Sequence, residues 1–269
     1  MARGQNGAPM IARIRVAGAL LLFLIVTAPM ALAQLLALRT GWFSEKTIPK
    51  LWHRLVLRCV GMRVRVHGEL APQRPLLVAA NHVSWTDIMV IGAHADVRFV
   101  AKAEVATWPG VKWIAALNRT VFVERDKRGK SGAQAAEISA RLDGGDVLVL
   151  FPEGTTSDGN FMLPFKTSLF GAAMRSGEEP ASVWVQPIAV AYLRRQGAAM
   201  GREERTLASW VGAEGLAPHM LRLVGQRAID AELRFGEPVE FRPGGDRKKN
   251  ARAVEGAVRT MFEDMLAGR

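Results

Sequence analysis

The stretch Leu76-Leu77-Val78-Ala79-Ala80-Asn81-His82-Val83-Ser84-Trp85-Thr86-Asp87 joins an apolar run to a turn that carries a histidine and a carboxylate. A short apolar run bounded by polar residues is typical of a buried strand. Histidine moves protons near neutral pH, and a carboxylate within reach fixes its tautomer and stabilises the imidazolium. On a regular helix, side chains five residues apart point in different directions. His82 and Asp87 therefore meet only if the chain turns between them.

An alternative interpretation of the same turn is structural. Ser84-x-x-Asp87 has the pattern of a capping box that opens a helix, in which case Asp87 serves the helix and not a reaction. These residues alone leave both interpretations open.

A second apolar run, Val147-Leu148-Val149-Leu150-Phe151, leads directly into Pro152-Glu153-Gly154-Thr155. In α/β folds, the loops at the carboxyl ends of strands face the ligand. A simple Pro-Glu-Gly turn is the structural alternative. If the sheet is parallel here, this turn and the turn at His82 lie at one edge.

Together, the His-x4-Asp and Phe-Pro-Glu-Gly-Thr blocks resemble the glycerolipid acyltransferase family, whose best-known member makes phosphatidic acid from lysophosphatidic acid. Two further blocks are similar to those of the family. They are the Arg-ended Thr120-Val121-Phe122-Val123-Glu124-Arg125 and the Pro-containing Val185-Gln186-Pro187-Ile188-Ala189. The resemblance covers roughly residues 60 to 240, with the blocks in the family's order.

The resemblance implies transfer of a fatty acyl group from a thioester to a hydroxyl, with His82 as general base and Asp87 as its orienting partner. A thioester is already activated, so no covalent acyl-enzyme is required. Ser84 as a nucleophile is the alternative, although the chain has no Gly-x-Ser-x-Gly elbow. The acyl donor implied is acyl-CoA or acyl carrier protein, and no cofactor or metal ion is expected.

The resemblance also implies the residues that bind substrate. Arg125 and Lys102 would hold an anionic group through charge-assisted hydrogen bonds, and Glu153 and Gly154 would shape the acceptor pocket. Without the resemblance, a solvated member of the charged run 124–128 is the better interpretation of Arg125. The residues expected to bind substrate are Asn81, Lys102, Arg125, Glu153, Gly154, Thr155 and Thr156.

One departure from the family pattern bears on the acceptor. Thr156 stands where lysophosphatidate enzymes usually carry Arg, which weakens the case for a phosphate on the acceptor. The segments 155–160, 208–210 and 216–219 look more like the branch that acylates lyso-ornithine lipid, a phosphate-free aminolipid. Ornithine lipid biosynthesis is therefore the favoured role, and formation of phosphatidic acid is the alternative.

Charge is concentrated near the N-terminus. Residues 1–60 hold eight Lys/Arg and one acid, a net +7 of the chain's +11. This bias suits an anionic membrane surface. A basic chain can also bind nucleic acid, but no zinc-finger, RNP or basic-zipper pattern is present, so no nucleic-acid partner is expected. Cys59 is the only cysteine, which rules out an internal disulfide.

The apolar segment Val16–Leu38 carries no charge over 23 residues, which is long enough to cross a hydrocarbon core. Three interpretations stay open. The segment is a signal peptide cleaved after Ala31-Leu32-Ala33, a spanning helix, or an anchor that lies in one leaflet. The apolar character continues past Ala33, which disfavours the signal peptide.

Residues 45–60 come next, with apolar residues at helical spacing, among them Leu51, Trp52 and Val56, and basic residues on the opposite side. This pattern favours an amphipathic helix on the membrane surface. A helix packed on the protein core is the alternative.

The chain has 269 residues, of which 49% are apolar, enough for one large domain with a short appendage. Beyond Gly61, short apolar runs alternate with helical stretches. Strands are predicted at 64–66, 76–80, 98–101, 121–123, 147–151, 183–191 and 231–235, and helices at 131–142, 166–175 and 250–267. The predicted fold is α/β, with a mixed, largely parallel sheet flanked by helices, preceded by an N-terminal membrane-anchoring helical segment. The predicted division is 1–60 as membrane anchor and 61–269 as acyltransferase domain.

These patterns predict a membrane-bound acyltransferase on the cytoplasmic face of the inner membrane, with membrane lipids as partners. Two hypotheses from other classes are a lipid-binding protein without catalysis and a lipid esterase. Intact His82 and Asp87 argue against a pure binder, because binding needs neither residue.

Overall fold

The computed structural model describes residues 10–42, 44–108, 110–123, 131–173, 182–212, 214–226 and 228–269. The helices are α1 (Met10–Thr40), α2 (Thr47–Val60), α3 (Thr86–His94), α4 (Val111–Leu117), α5 (Ser131–Asp143), α6 (Arg202–Arg205), α7 (Leu216–Gly225) and α8 (Arg247–Ala267). The strands are β1 (Met62–His67), β2 (Leu76–Ala80), β3 (Arg98–Lys102), β4 (Val121–Val123), β5 (Leu148–Leu150), β6 (Val183–Arg195), β7 (Ala198–Ala199), β8 (Ile229–Phe235) and β9 (Val239–Phe241). Short 3-10 helices lie at Ala103–Thr107 and Thr167–Ala173.

The strands of the described residues form one sheet in the order β1-β8-β6-β2-β5-β3-β4, with β7 and β9 also paired to β6. Strands β2, β3, β4 and β5 pair in parallel, and β6 is parallel to β2. Strand β8 is parallel to β1 and antiparallel to β6. This arrangement confirms the predicted mixed, largely parallel sheet.

Strand β2 lies at the centre of the sheet, with β6 on one side and β5 on the other. All five of its residues are buried, which explains why it is a continuous apolar run and not an alternating one. Leu77 pairs with Leu148 of β5 and with Val185 of β6. Because the three strands are parallel, the turns after β2 and β5 lie at the same edge of the sheet, as expected.

The element boundaries agree with the predicted ones apart from local differences. Strands β2 and β4 have the predicted bounds, whereas β6 continues beyond the predicted Ala191 to Arg195. The helix predicted over 166–175 is a 3-10 helix at Thr167–Ala173, with residue 174 outside the described residues. Helices α4, α6 and α7 are not predicted from the sequence, and α3 is indicated only by the capping-box pattern of Ser84 and Asp87.

Helix α1 contains the predicted apolar segment and extends it at both ends, with Pro29 inside the helix. It is long and apolar enough to cross a membrane, and its most apolar 18-residue window contains no buried residue. This surface suggests membrane association. Near its carboxyl end, Gln34 is buried and donates hydrogen bonds to the carbonyl oxygens of Glu45 (2.9 Å) and Leu117 (3.0 Å).

Helix α2 has the predicted amphipathic character, but its apolar face packs on the protein. Trp52 and Val56 are buried. The indole N–H of Trp52 donates to Thr27 Oγ1 of α1 (3.1 Å), and its ring lies 6.0 Å from that of Phe23. The prediction that this face lies on the membrane surface is therefore wrong for Trp52 and Val56, while Leu51 remains exposed. The division of the chain after residue 60 stays a prediction.

Candidate active site

The turn that joins β2 to α3 (the catalytic turn, residues 81–87) brings His82 and Asp87 together. Nδ1 of His82 lies 2.8 Å from Oδ2 of Asp87. Helix α3 begins only at Thr86, so Asp87 lies in its first turn and the chain before it is free to bend. The backbone N–H groups of Val83 and Ser84 also donate to Oδ2 of Asp87, at 2.7 and 2.9 Å. One carboxylate therefore fixes both the turn and the histidine.

The capping-box interpretation describes part of the same geometry. The N–H of Ser84 donates to the Asp87 carboxylate, as in a capping box. The Ser84 hydroxyl, however, makes no hydrogen bond among the described residues, and Ser84 is fully buried. Its hydroxyl has neither a base beside it nor access to an acyl donor. The geometry therefore argues against Ser84 as a nucleophile.

Tyr192 of β6 holds the second oxygen of Asp87. Its phenolic O–H donates to Oδ1 at 2.6 Å, and Thr86 Oγ1 lies 2.6 Å from the same phenolic oxygen. Burial raises the pKa of Tyr192 well above its usual value, and the charge of Asp87 acts in the same direction, so the phenol remains a donor. Oδ1 of Asp87 thus accepts from Tyr192, and Oδ2 accepts from the N–H groups of Val83 and Ser84. Because the carboxylate is an acceptor, Nδ1 of His82 must carry the proton in their contact, which leaves the lone pair on Nε2.

The open edge of His82 faces away from Asp87. One face of the imidazole stacks on Phe151, with ring centroids 4.1 Å apart and an interplanar angle of 19°. The side chain is 17% exposed, and Nε2 makes no hydrogen bond within the described residues. A neutral imidazole fixed in this tautomer can accept a proton from a hydroxyl that approaches Nε2.

Glu153 lies beside the histidine, and both of its carboxyl oxygens are used within the protein. Its Oε1 accepts the backbone N–H of His82 (2.7 Å), and Oε2 accepts the N–H of Leu163 (2.9 Å). Burial raises the pKa of Glu153 to about 8, the two N–H groups oppose this, and Asp87 adds to it. A part for Glu153 in shaping the acceptor pocket stays a prediction. Its carboxyl group anchors the backbone of the catalytic turn to the 152–163 loop.

Asn81 has a similar internal role. Its side-chain amide donates to the carbonyl oxygen of Val190 (2.9 Å) and accepts the N–H of Val190 (2.8 Å). The residue is buried, so both polar atoms are used between the end of β2 and β6. In the structure Asn81 fixes the point where the catalytic turn begins, and its binding of substrate stays a prediction.

The turn after β5 (the acceptor turn, residues 151–156) presents backbone donors at the same edge. Gly154 has φ +78°, a conformation that glycine adopts without strain, and its N–H donates to Phe151 O (3.1 Å). A Cβ built on Gly154 would lie 2.7 Å from Nζ of Lys166, so the lysine crosses this glycine. Among the described residues, the N–H groups of Thr155 and Thr156 make no hydrogen bond. These two donors are available to an oxyanion.

Thr156 contacts the protein through its hydroxyl. Its Oγ1 donates to the carbonyl oxygen of Trp210, and the N–H of Trp210 donates to Val83 O (3.0 Å). The indole of Trp210 meets that of Trp108 edge to face, with centroids 5.8 Å apart. The Thr156 hydroxyl, expected to contact the acceptor head group, therefore ties Trp210 to the turn after β5, and the N–H of Trp210 ties it to the turn that carries His82.

A buried histidine reinforces this segment. The indole N–H of Trp85 donates to Nδ1 of His219 (2.9 Å), so Nε2 of His219 carries the proton and donates to Ser209 O (2.8 Å). Burial lowers the pKa of His219, which favours this neutral form. Helix α7 is thereby joined to the turn that carries the catalytic pair.

Of the two cations expected to bind an anion, only Lys102 lies in the described part of the chain. It ends β3 at the same edge, and its Nζ lies 3.6 Å from Oε1 of Glu104. Because both side chains are exposed, Lys102 is accessible to a ligand. Arg125 lies outside the described residues, and its role stays a prediction. Lys166, Tyr192 and Trp210 are site residues that the sequence patterns do not predict. Their positions depend on contacts far apart in the sequence.

Comparisons with known proteins identify the family of this fold. A family model described as Acyltransferase matches residues 63–191, which include β1 to β5, most of β6 and the catalytic turn. The chain belongs to the acyltransferase family, and it is an enzyme of that class.

Several relatives resemble nearly the whole chain. It is 47% identical to a lyso-ornithine lipid O-acyltransferase of Brucella abortus (strain 2308), over 94% of this chain and 97% of the relative. It is 30% identical to a 1-acyl-sn-glycerol-3-phosphate acyltransferase of Neisseria gonorrhoeae, over 76% of each chain. The crystal structure of the 1-acyl-sn-glycerophosphate (LPA) acyltransferase PlsC from Thermotoga maritima is similar at TM-score 0.64 and 22% identity, over 94% and 97% of the two chains. The last similarity shows the fold.

Proposed function

We propose that this enzyme transfers a fatty acyl group from acyl-CoA or acyl carrier protein to the hydroxyl of lyso-ornithine lipid. The observation that carries the proposal is the His82–Asp87 pair, in which the histidine has a fixed tautomer and an open Nε2. Nearly full-length similarity to lyso-ornithine lipid O-acyltransferases supports the acceptor, since two such relatives are 47% and 43% identical to this chain.

The reaction needs one base and one set of oxyanion donors. Nε2 of His82 takes the proton of the acceptor hydroxyl as the oxygen attacks the thioester carbonyl. Asp87 stabilises the imidazolium that results, and the N–H groups of Thr155 and Thr156 lie in the adjacent turn to stabilise the oxyanion. The tetrahedral intermediate collapses, the C–S bond breaks, and the imidazolium returns the proton to the leaving thiolate. An ester and a free thiol are the products.

The same proposal places the enzyme on a membrane. Helix α1 presents an unburied apolar surface long enough for a hydrocarbon core, and the basic excess of residues 1–60 suits anionic lipid. We infer an inner-membrane location with the catalytic domain on the cytoplasmic face, where acyl-CoA and acyl carrier protein are found. The basic chain also suits donors that carry phosphopantetheine.

Phosphatidic acid synthesis is the second candidate, and one observation favours it. Lys102 is exposed at the catalytic edge, and Lys166 lies against Gly154 beside it. Two lysines near the acceptor turn would suit a phosphate as well as a carboxylate.

An acyl-transfer assay on the purified full-length protein tests both candidates. Lyso-ornithine lipid and lysophosphatidic acid are supplied separately with acyl-CoA or acyl carrier protein, and His82→Ala is the matched control. The proposal predicts product from lyso-ornithine lipid with wild type only. Product from lysophosphatidic acid alone would establish the second candidate. Hydrolysis without transfer would indicate an esterase, and binding without any product would indicate a non-catalytic lipid-binding protein.

A further inference from the structure

Two half-buried tryptophans lie directly beside the catalytic turn and have no role in the chemistry derived above. Trp210 is bound through its backbone to Val83 and to Thr156, which lie in the histidine turn and the acceptor turn. Trp108 comes after β3 and the adjoining 3-10 helix, and meets Trp210 edge to face with an interplanar angle of 81°. Two indoles at nearly a right angle form two walls of a corner.

Among the described residues, no cation of the protein lies over the ring of Trp108 or Trp210. In the described part of the chain, the lysine that lies over an aromatic ring is Lys112, which is 5.9 Å from the ring of Trp113 on α4. The carboxylate of Glu214, whose backbone oxygen accepts the indole N–H of Trp210, is paired with Arg222 at 2.8 Å. A ligand cation here would therefore meet aromatic faces and not a free carboxylate from that side.

An ornithine head group carries an alkylammonium, whereas lysophosphatidic acid carries only negative charge. Ammonium groups are attracted to the faces of tryptophan rings within about 6 Å of the ring centroid, and two rings act together in aromatic cages. We propose that Trp108 and Trp210 form a subsite for the ammonium of the acceptor head group. This inference rests on the proposed function, because it supplies the aminolipid preference that the catalytic pair cannot.

Thr156 takes a specific role in this subsite. Its hydroxyl donates to the carbonyl oxygen of Trp210, so it sets the position of the ring without contacting the head group. Thr156 is a positioning residue for head-group selection. Among the described residues the N–H of Thr156 has no partner and remains available to the oxyanion. Position 156 can therefore act in head-group selection through its side chain and in the reaction through its backbone.

The test uses two acceptors, of which one carries a side-chain ammonium and the other a neutral acetamide in its place. Lyso-ornithine lipid is compared with its derivative acetylated on the side-chain amine, which keeps the hydroxyl and the carboxylate but has no ammonium. The ratio of kcat/KM for the two acceptors is measured on full-length enzyme. A cation–π contact is worth about 0.5–2 kcal/mol, which corresponds to a ratio of about 2 to 30.

Wild type should prefer the acceptor that carries the ammonium. Trp108→Ala should reduce the ratio of kcat/KM toward one, mainly through a higher KM for that acceptor. Trp108→Phe should keep most of the preference, because a phenyl face also attracts cations. Thr156→Val, which removes the tether but not the ring, should reduce the ratio in part. Trp113→Ala is the matched control, since Trp113 is 71% exposed on α4 and should leave the ratio as in wild type.

Three outcomes would overturn the inference while leaving the proposed function intact. They are a wild-type ratio near one, an equal loss on both acceptors in Trp108→Ala, and an equal change of the ratio in Trp113→Ala. If wild type acylates neither form of lyso-ornithine lipid but does acylate lysophosphatidic acid, the proposed acceptor is wrong and the subsite fails with it. Circular dichroism of each variant shows whether a lost activity reflects lost folding.

Discussion

Replacement of Tyr192 by Phe removes one oxygen atom from the catalytic site and leaves the ring that packs in β6. In the native protein this oxygen donates to Asp87 Oδ1 at 2.6 Å, inside a fully buried environment. The single proton of the phenol goes to Asp87, so Thr86 donates to the phenolic oxygen. The substitution thus removes one hydrogen bond to a carboxylate and one neutral hydrogen bond.

The size of the effect can be worked out from these two bonds. A hydrogen bond to a charged group contributes about 1.5–3 kcal/mol, and a neutral one about 0.5–1.5 kcal/mol. We expect Tyr192→Phe to lower the free energy of unfolding by about 2–4 kcal/mol. Asp87 keeps its bonds to His82, Val83 and Ser84, so it stays in place but loses the donor that fixes its second oxygen.

The expected effect on catalysis is a lower kcat with little change in KM, because Tyr192 is buried and does not reach the acceptor. A loss of about 1.4 kcal/mol in transition-state stabilisation lowers the rate tenfold, and we expect a loss of this order. Acyl transfer is measured as a function of acceptor concentration, and stability by urea denaturation monitored by circular dichroism.

Thr86→Val is the matched control for this experiment. It removes the neutral hydrogen bond to the phenol but keeps the one from Tyr192 to Asp87. We expect a loss of stability with kcat close to that of wild type. The reasoning is refuted if Tyr192→Phe has the kcat of wild type, or if Thr86→Val loses as much turnover as Tyr192→Phe.

Four further predictions concern other parts of the molecule. His82→Ala should lower turnover by about 10²–10⁴ while the fold and membrane association persist, and Asp87→Asn should be severe but less so; assays on folded variants check this. Because burial raises the pKa of Glu153 from 4.5 to about 8, the folded protein keeps a proton that the unfolded chain releases. Unfolding free energy should therefore fall as pH rises from about 4.5 to about 8, and Glu153→Gln should lack this component in urea denaturation at a series of pH values. Deletion of residues 1–39 should release part of the protein from anionic vesicles in a sedimentation assay, with residual binding that weakens as salt is added; a mature protein that begins at residue 34 would instead establish a signal peptide. Thr156→Arg should move the kcat/KM ratio of the two lyso-lipids toward lysophosphatidic acid, and an unchanged ratio would show that this position does not affect the acceptor.

The contact between His82 and Asp87 could be predicted from the sequence because the strand end and the turn that join them are local, whereas its catalytic role is inferred from the resemblance to the family. The apolar run of β2 ends directly before His82, and Asp87 lies within the same turn. The run of β5 similarly places Glu153 and Gly154 at the adjacent strand end. Short-range patterns determine where a strand ends and which residues its turn presents.

The groups that orient the pair could not be predicted in this way. Tyr192 is 105 positions away from Asp87, and its residue type suits any buried strand. Helix α3 is indicated by its capping-box pattern but not by periodicity, because it has no polar face and Met89 to Ala93 are all buried. Periodicity detects a helix only when one of its sides meets water. The prediction of what the Trp52 face contacts is wrong for a related reason, because an apolar helical face packs equally well on lipid and on protein.

Position 156 shows why a residue pattern alone does not identify the acceptor. An arginine there would add a cation to the acceptor turn, but it would also remove the hydrogen bond from the Thr156 hydroxyl to Trp210. Both changes favour a phosphate over an ammonium, so a shift of preference in Thr156→Arg does not separate them. Thr156→Val removes the tether and adds no charge. If Thr156→Val alone reduces the preference for the aminolipid, the head group is selected by the position of Trp210, and the charge at residue 156 is a secondary effect.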